Sequence, residues 1–372
     1  MKPLFEVKPV DREFYAKRLR DWLPDKIIDI HTHVWLDRFK DKRGNEPVRS
    51  VTWPARVAKD CSIEDLVETY RVMFPDKAVT PLIFGNVFAE RDDRAGNNRY
   101  VAESAVKANC PALICSHPEW PAEELEARIA QGKFVGAKSY LTLAPTYLPE
   151  KEIRIYDYFP HAHLDVLNRR GWILMLHIPR DGRLRDPVNL AQLLEIEARY
   201  PRLRVVIAHV GRAYCPEDVG NAFKVLSKTR NMCFDISANT NALVFRQLIE
   251  AVGPKRILFG SDLVIARMRM RRICERGNYV NIVPAGLYGD VSGDKHMREV
   301  SGIEADKLSF FMFEIINAFR RAAEETGLTR SDVEDVYFNN AGRMLRGARG
   351  GAKYRTVQEP KEKATAKCGR KT

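Results

Sequence analysis

Residues Ile27-Ile28-Asp29-Ile30-His31-Thr32-His33 decide how this 372-residue chain is read. Three isoleucines give the stretch the β-branched character of a buried strand. Side chains alternate faces along a strand, so His31 and His33 are expected on one side, with Asp29 behind them. Two imidazoles at i and i+2 on a strand end can converge on one metal ion, and a carboxylate below can orient them. Two unrelated histidines would leave the same local trace. What separates the two readings is the rest of the chain, which ends later apolar strands in further ligand-type residues.

Residues 11–23 have mixed helical character and stop at Pro24. Ser62 reads as the N-cap of a helix over 63–73, with Glu64 and Asp65 placing negative charge in its first turn. Strands are then expected at 78–88, 112–115, 135–141, 172–177, 203–209, 232–236 and 256–260. Helices at 98–108, 122–130, 161–169, 189–199, 219–227 and 242–252 separate them. With 27–33, that makes eight strands alternating with helices, the pattern of an α/β (β/α)8 TIM barrel.

One barrel domain is therefore expected over 25–348, behind an N-terminal extension at 1–24. An insert at 263–300 follows strand eight and falls beside the barrel mouth. It opens on Arg267-Met-Arg-Met-Arg-Arg, read as a solvated basic face, and continues through Gly- and Pro-containing turns. A helix over 307–325 and a closing helix beginning near Tyr337 complete the chain.

The net charge of +12 invites a nucleic-acid reading, so its location matters. From Arg349 to Thr372 there are eight Lys or Arg against two Glu, a net +6 in a Gly-, Lys- and Thr-rich tail that reads as disordered. No helix-turn-helix, zinc finger or aromatic-basic RNA motif accompanies it, so no dedicated nucleic-acid binding is expected. The seven cysteines are scattered without a C-x-x-C pair, which suits reduced thiols in a cytoplasmic protein. The first 24 residues contain no apolar signal-peptide core, and no run is long enough for a membrane span.

In such barrels the catalytic groups lie at the C-terminal ends of strands. The polar residues expected there are His31 and His33 on strand one, Lys138 on four, His177 on five, His209 on six and Asp262 on eight. From His177 to His209 is about one βα unit, and from His209 to Asp262 about two. Arg180 and Arg212 each follow a strand-end histidine by three residues, where a guanidinium suits a carboxylate-bearing substrate; salt bridging to neighbouring loops is the competing reading. Tyr140, Trp35 and Trp53 are candidates for an aromatic pocket or for core packing. His161 and His163 sit near a helix start, where residues two apart diverge, so capping or exposure is expected of them. His117 is read as structural and His296 as solvent-exposed.

The segments Asp29-Ile-His31-Thr-His33, Gly136-Ala-Lys138, Leu176-His177, Ala208-His209-Val-Gly211, Phe259-Gly-Ser-Asp262 and Asn339-Asn-Ala-Gly-Arg343 occur here in an order that resembles the amidohydrolase superfamily. The resemblance is to its amidohydrolase-related (amidohydrolase 2) branch, which includes aminocarboxymuconate-semialdehyde-decarboxylase-like enzymes. It implies a mononuclear site with His31, His33, His177 and Asp262 as ligands. The ion implied is one divalent metal, Zn²⁺ first, with Mn²⁺ or Fe²⁺ as alternatives. Asp262 would carry the proton of an activated water, and His209 would orient that water or polarise the substrate carbonyl. Lys138, Tyr140, Arg180 and Arg212 would face the substrate. Strand-four lysines of binuclear members are carboxylated, which is the least expected state of Lys138 in a usually mononuclear branch. Barrels of this branch are often homodimers.

The function implied is hydrolysis of an amide, ester or lactone of a small organic substrate. The alternative on the same scaffold is non-oxidative decarboxylation of an aromatic or unsaturated carboxylic acid. A TatD-like nuclease needs glutamate ligands that the strand ends do not offer, and a non-catalytic barrel would have lost a ligand. There is no Gly-x-Ser-x-Gly elbow, Walker-type loop or Gly-x-Gly-x-x-Gly fingerprint, so those chemistries are not expected.

Overall fold

The computed structural model describes residues 4–41, 49, 53–86 and 92–348. Eight parallel strands form the centre: β1 (Lys26–His33), β2 (Ala78–Phe84), β3 (Ile114–Cys115), β4 (Gly136–Lys138), β5 (Ile173–Leu176), β6 (Arg204–Ile207), β7 (Cys233–Asp235) and β8 (Ile257–Leu258). β3 to β8 pair in chain order, and β1 pairs with β2. Backbone bonds close the ring at both gaps. Leu113 N–H donates to Ile83 O at 2.9 Å between β3 and β2, and Ile30 N–H to Phe259 O at 3.0 Å between β1 and the end of β8. This is the expected (β/α)8 barrel, with strands shorter than the apolar runs suggest.

The runs alternate as a barrel demands. Ile28, Ile30, Leu82, Leu113, Ile173, Met175, Val206 and Leu258 form one buried cluster inside the ring. The closing helix, Asn340–Ala348, joins that cluster through Ala341, Met344 and Leu345. The intervening residues, such as Val79, Ile83, Leu174 and Val205, pack outward in a second cluster that includes the surrounding helices. The helix Ile63–Met73 starts as its sequence predicts, with Ser62 Oγ accepting the Asp65 N–H at 3.0 Å.

Strand β1 departs from simple alternation. Asp29 lies opposite Pro81 and Thr32 opposite Ile83, so β1 carries one extra residue between these pairs. Such a bulge exchanges the faces of everything beyond it. Before it, Ile28 points into the ring, while Asp29 points out and accepts the Tyr70 hydroxyl at 2.9 Å. Asp29 therefore does not orient the imidazoles, contrary to expectation. It accepts the Ser261 N–H at 2.9 Å instead and ties β1 to the end of β8. Burial pushes its carboxyl up to about 6, against the pull of its Ser261 and Tyr70 hydrogen bonds.

The insert is more ordered than its turns suggest. β9 (Arg271–Glu275) and β10 (Asn278–Pro284) form an antiparallel hairpin, and β11 (Met297–Val300) adds to β10 in parallel. The basic run is not a solvated face: Arg269 and Arg272 are buried. Arg269 pairs with buried Asp11 at 2.6 Å, and Arg272 lies over the rings of Tyr214, Tyr279 and Phe311. Nor are all thiols reduced. Cys215 and Cys274 form a disulfide joining the loop after β6 to β9, with Cα atoms 5.8 Å apart. A pairing across 59 residues depends on how the insert folds back, which spacing alone does not reveal. Cys61, Cys110, Cys115 and Cys233 are not in disulfides. Among the described residues no helix is long and apolar enough to cross a membrane. The basic tail, 349–372, lies outside the described residues, as do 42–48, 50–52 and 87–91.

Candidate metal centre

The bulge in β1 brings the two histidines to the barrel mouth, buried and neighbouring each other with ring centroids 5.6 Å apart. His33 Nδ1 meets Gly85 O at 2.8 Å and must carry the proton, because a carbonyl only accepts. His31 Nδ1 meets Asp235 Oδ2 at 2.9 Å and donates to it. Both rings turn Nε2 toward Asp262, whose Oδ1 lies 3.3 Å from His33 Nε2 and 3.5 Å from His31 Nε2.

Asp262 reaches this position from a left-handed backbone, φ 61°, four residues beyond β8. Its N–H donates to His31 O at 2.9 Å, which sets the two ligand candidates against each other. Gly260 is required for the approach, since a Cβ there would stand 2.9 Å from His31 Cβ and 3.3 Å from Asp235 Cβ. Burial would raise the Asp262 carboxyl, but His209, His33 and His31 together hold it below the usual carboxylate range.

His177 follows Ile173 and Met175 on the inner face of β5, with its ring 4.6 Å from Tyr140 and 5.4 Å from His209. Its Nδ1 is buried with no hydrogen-bond partner among the described residues. Burial, reinforced by the Arg212 charge, holds this imidazole well below 6.5, so it is neutral with a lone pair to offer. His209, whose ring is 4.8 Å from that of His31, is lowered to about 4 by burial.

His209 begins a run of four left-handed residues, with φ of 56°, 51°, 63° and 61° through Arg212. Each residue with a side chain costs about 1–2 kcal/mol in that conformation. Gly211 has a steric reason as well, because a Cβ there would come within 2.4 Å of Leu184 Cδ1. The His209 N–H is anchored by Asp235 Oδ1 at 2.8 Å. The same turn sends Arg212 back toward the loop after β5, where its guanidinium donates to Pro179 O at 2.7 Å and, at 3.3 Å each, to Ile178 O and Arg180 O.

Lys138 is buried at the end of β4, with Nζ 5.6 Å from the Phe84 ring centroid and 5.7 Å from that of Tyr140. Burial lowers its ammonium to about 8, with Asp262 and Asp235 pulling the other way. Arg180 is held by Asp186 through its Nε at 3.0 and 3.1 Å. The other candidates serve packing. Trp35 and Trp53 are buried and donate to Lys59 O and Asp294 Oδ2. His163 is buried rather than exposed and meets Trp120 O at 2.7 Å. His161 meets the Tyr200 hydroxyl at 2.7 Å. His296 is half-buried and stacked on Tyr279 at 4.1 Å, not free in solvent.

Sequence reasoning passed over Asp235 and Ser237. Their signal was the one that found the others, a polar residue closing an apolar strand, here Cys233-Phe-Asp-Ile-Ser237. Both are fully buried.

The donor set suits a divalent ion. His31, His33 and Asp262 offer ligand atoms within 4.8 Å of one another, all nitrogen or oxygen, with both imidazole Nδ1–H groups already engaged behind them. A second group, His31, His209 and Asp235, shares His31 but spends its carboxylate on hydrogen bonds. It is therefore the support of the first group rather than another centre. Fold and side chains together make this a barrel with a His/His/Asp group at its C-terminal mouth that could hold a metal ion.

A family model described as amidohydrolase matches residues 28–347. The chain belongs to that family and is an enzyme of the metal-dependent amidohydrolase superfamily. Similar solved structures include an amidohydrolase from Burkholderia multivorans with bound zinc, 14% identical, with a TM-score of 0.54 over 86% of this chain and 98% of that one. A probable 2-pyrone-4,6-dicarboxylic acid hydrolase from Acinetobacter baumannii, with citric acid bound, is 13% identical, with a TM-score of 0.50 and the same coverage. A dihydroxybenzoic acid decarboxylase from Polaromonas sp. JS666, with manganese and an inhibitor, is 16% identical, with a TM-score of 0.49 over 87% of this chain and 97% of that one. A comparison with curated proteins gave no match.

Proposed function

We propose that this protein is a metal-dependent hydrolase of an amide, ester or lactone of a small organic substrate. The observation that supports this most directly is the convergence of two imidazole Nε2 atoms on the Asp262 carboxylate. His31, His33, His177 and Asp262 would hold one divalent ion, zinc first among Zn²⁺, Mn²⁺ and Fe²⁺. Bound there, the ion would supply Lewis acidity toward a carbonyl oxygen and toward water.

The protein's own residues would do the rest. Asp262 is ionised and only partly buried, so it can take a proton from water and return it to the leaving group. His209 stands beside His31 and His177, where it would meet the same water. Tyr140 and Lys138 wall the mouth at the end of β4, and Arg212 lies close enough to influence His177 and Tyr140. Arg180 has a carboxylate partner in Asp186 and would serve the rim.

Lys138 also supports a second reading. Among the described residues its Nζ pairs with no carboxylate and lies near the Phe84 and Tyr140 rings, which suits a substrate carboxylate and therefore decarboxylation on the same scaffold. In that reaction Asp262 would protonate the carbon that loses CO2. The deciding experiment is metal analysis of the purified protein, followed by turnover of lactones, esters and aromatic carboxylates in ¹⁸O-labelled water. About one metal ion per chain and label in the product support hydrolysis. CO2 release without label transfers the proposal to the decarboxylase, and absence of metal after titration overturns both.

A further inference from the structure

The end of β7 contacts both sides of the site. Asp235 is fully buried, and its carboxylate collects four hydrogen bonds. Oδ2 meets His31 Nδ1 at 2.9 Å. Oδ1 accepts the backbone N–H of His209 at 2.8 Å, the N–H of Ser237 at 3.1 Å and the Ser237 hydroxyl. Ser237 Oγ in turn meets His209 Nδ1 at 2.8 Å. One carboxylate and one hydroxyl thus touch the inner nitrogen of both imidazoles.

Counting protons assigns every donor. An ionised carboxylate only accepts, so His31 Nδ1 must carry the proton in its bond to Oδ2. A serine hydroxyl has one proton, and here it goes to Asp235 Oδ1. Turned the other way, the Ser237 oxygen would press a lone pair against a carboxylate oxygen at hydrogen-bond range. With its proton committed, Ser237 Oγ can only accept from His209, so His209 Nδ1 is the donor. Neutral His209 is then the Nδ1–H tautomer, and its Nε2 is a bare lone pair.

We propose that Asp235 and Ser237 are positioning residues that place a proton on Nδ1 of both His31 and His209, so that the neutral form of each ring presents Nε2 as its open nitrogen. The inference rests on the metal-site reading and narrows the role of His209. A neutral imidazole held this way accepts a hydrogen bond or a proton from water, and cannot donate one to polarise a carbonyl. His209 is thus assigned the water side of the reaction. The relay also explains why the polar end of β7 is fully buried and fully paired, since a half-satisfied network in that place would be costly.

The two residues separate in experiment. With ¹⁵N-histidine-labelled protein, long-range ¹H–¹⁵N correlations report which nitrogen of each ring carries the proton, and His209 is assigned by the signal missing from His209→Asn. In the unaltered protein His209 Nδ1 is expected as the protonated nitrogen. In Ser237→Ala it loses its acceptor, and the Nε2–H tautomer is expected to appear. Asp235→Asn is expected to weaken zinc binding by about 10–100-fold in chelator competition, the usual loss on removing the partner of a ligating histidine. A protonated Nε2 on His209 in the unaltered protein, no tautomer change in Ser237→Ala, or unchanged zinc affinity in Asp235→Asn overturns the proposal. If Asp235→Asn does not fold, Asp235→Glu carries the affinity test. Failure of the metal-site reading shows separately, as an unaltered protein that binds no zinc, and the tautomers of that metal-free protein still decide the relay.

Discussion

Nε2 of His33 stands 3.3 Å from Oδ1 of Asp262, a pair drawn from the first strand of the barrel and the loop after the last. Closure of the ring makes this meeting, since β1 and the end of β8 are neighbours only in the folded state. Asp262→Asn keeps the shape of the side chain but cannot hold a proton between water and leaving group. Its kcat is expected to fall by about 10²–10⁴-fold, the usual contribution of a positioned acid-base group. Steady-state kinetics on the substrate found by screening would check this, and an unchanged kcat would remove Asp262 from the proton path.

His177→Ala is expected to lose metal and activity together while keeping most of the fold. The fold survives because the Tyr158 hydroxyl bonds the backbone carbonyl of His177, at 2.6 Å, rather than its ring. Metal content by elemental analysis, beside a circular dichroism spectrum, tests both parts. Full metal stoichiometry in this variant would sink the assignment of His177 as a ligand.

The N-terminal helix, Pro9–Phe14, is fastened to the insert by a buried ion pair. Arg269 meets both Asp11 oxygens, at 2.9 and 2.6 Å, and also donates to Leu308 O at 2.7 Å. Ser309 adds a hydroxyl bond to Asp11 at 2.8 Å. Removing one partner strands the other charge in the interior, so Asp11→Ala is expected to cost about 3–5 kcal/mol in denaturant unfolding. Asp11→Leu combined with Arg269→Met should recover much of that loss, because the buried charges then vanish together. A single variant as stable as the parent would show that the pair is not closed to water.

Stability is expected to fall on mild acidification, and His163 is one source. Burial holds its imidazole below the ordinary 6.5, while its Nδ1 has no partner among the described residues. As pH drops through about 6.5, the unfolded chain takes up a proton that the folded chain refuses. The stability contributed by neutral His163 is thus complete above that value and lost below it. His163→Gln keeps a donor for Trp120 O and should flatten the slope of unfolding free energy between about pH 5 and 6.5. An unchanged slope would place the acid sensitivity in the other buried histidines.

Much of this was legible in the chain itself. The eight apolar runs and their spacing predict the barrel, because a buried parallel strand requires a short continuous apolar stretch. The candidate ligands were visible for the same reason, as polar residues where apolar runs stop. Asp235 and Ser237 obey that rule too, but nothing local says that Asp235 reaches His31, a residue 204 positions away. The burial of Arg269 and Arg272 was hidden because their partners, Asp11, Asn281 and the Tyr214 and Tyr279 rings, come from other segments.

The deepest difference lies in β1. Alternation counted from Ile27 places Asp29, His31 and His33 on one face, yet Asp29 points out to Tyr70 and the histidines serve the mouth. The order of elements, the eight-fold alternation and the residue types at the strand ends are written in the chain's own pattern. Which way those side chains turn was decided by pairing, where one extra residue opposite Pro81 and Ile83 exchanges the faces of β1. A strand's register belongs to two chain segments at once, so no single stretch can specify it.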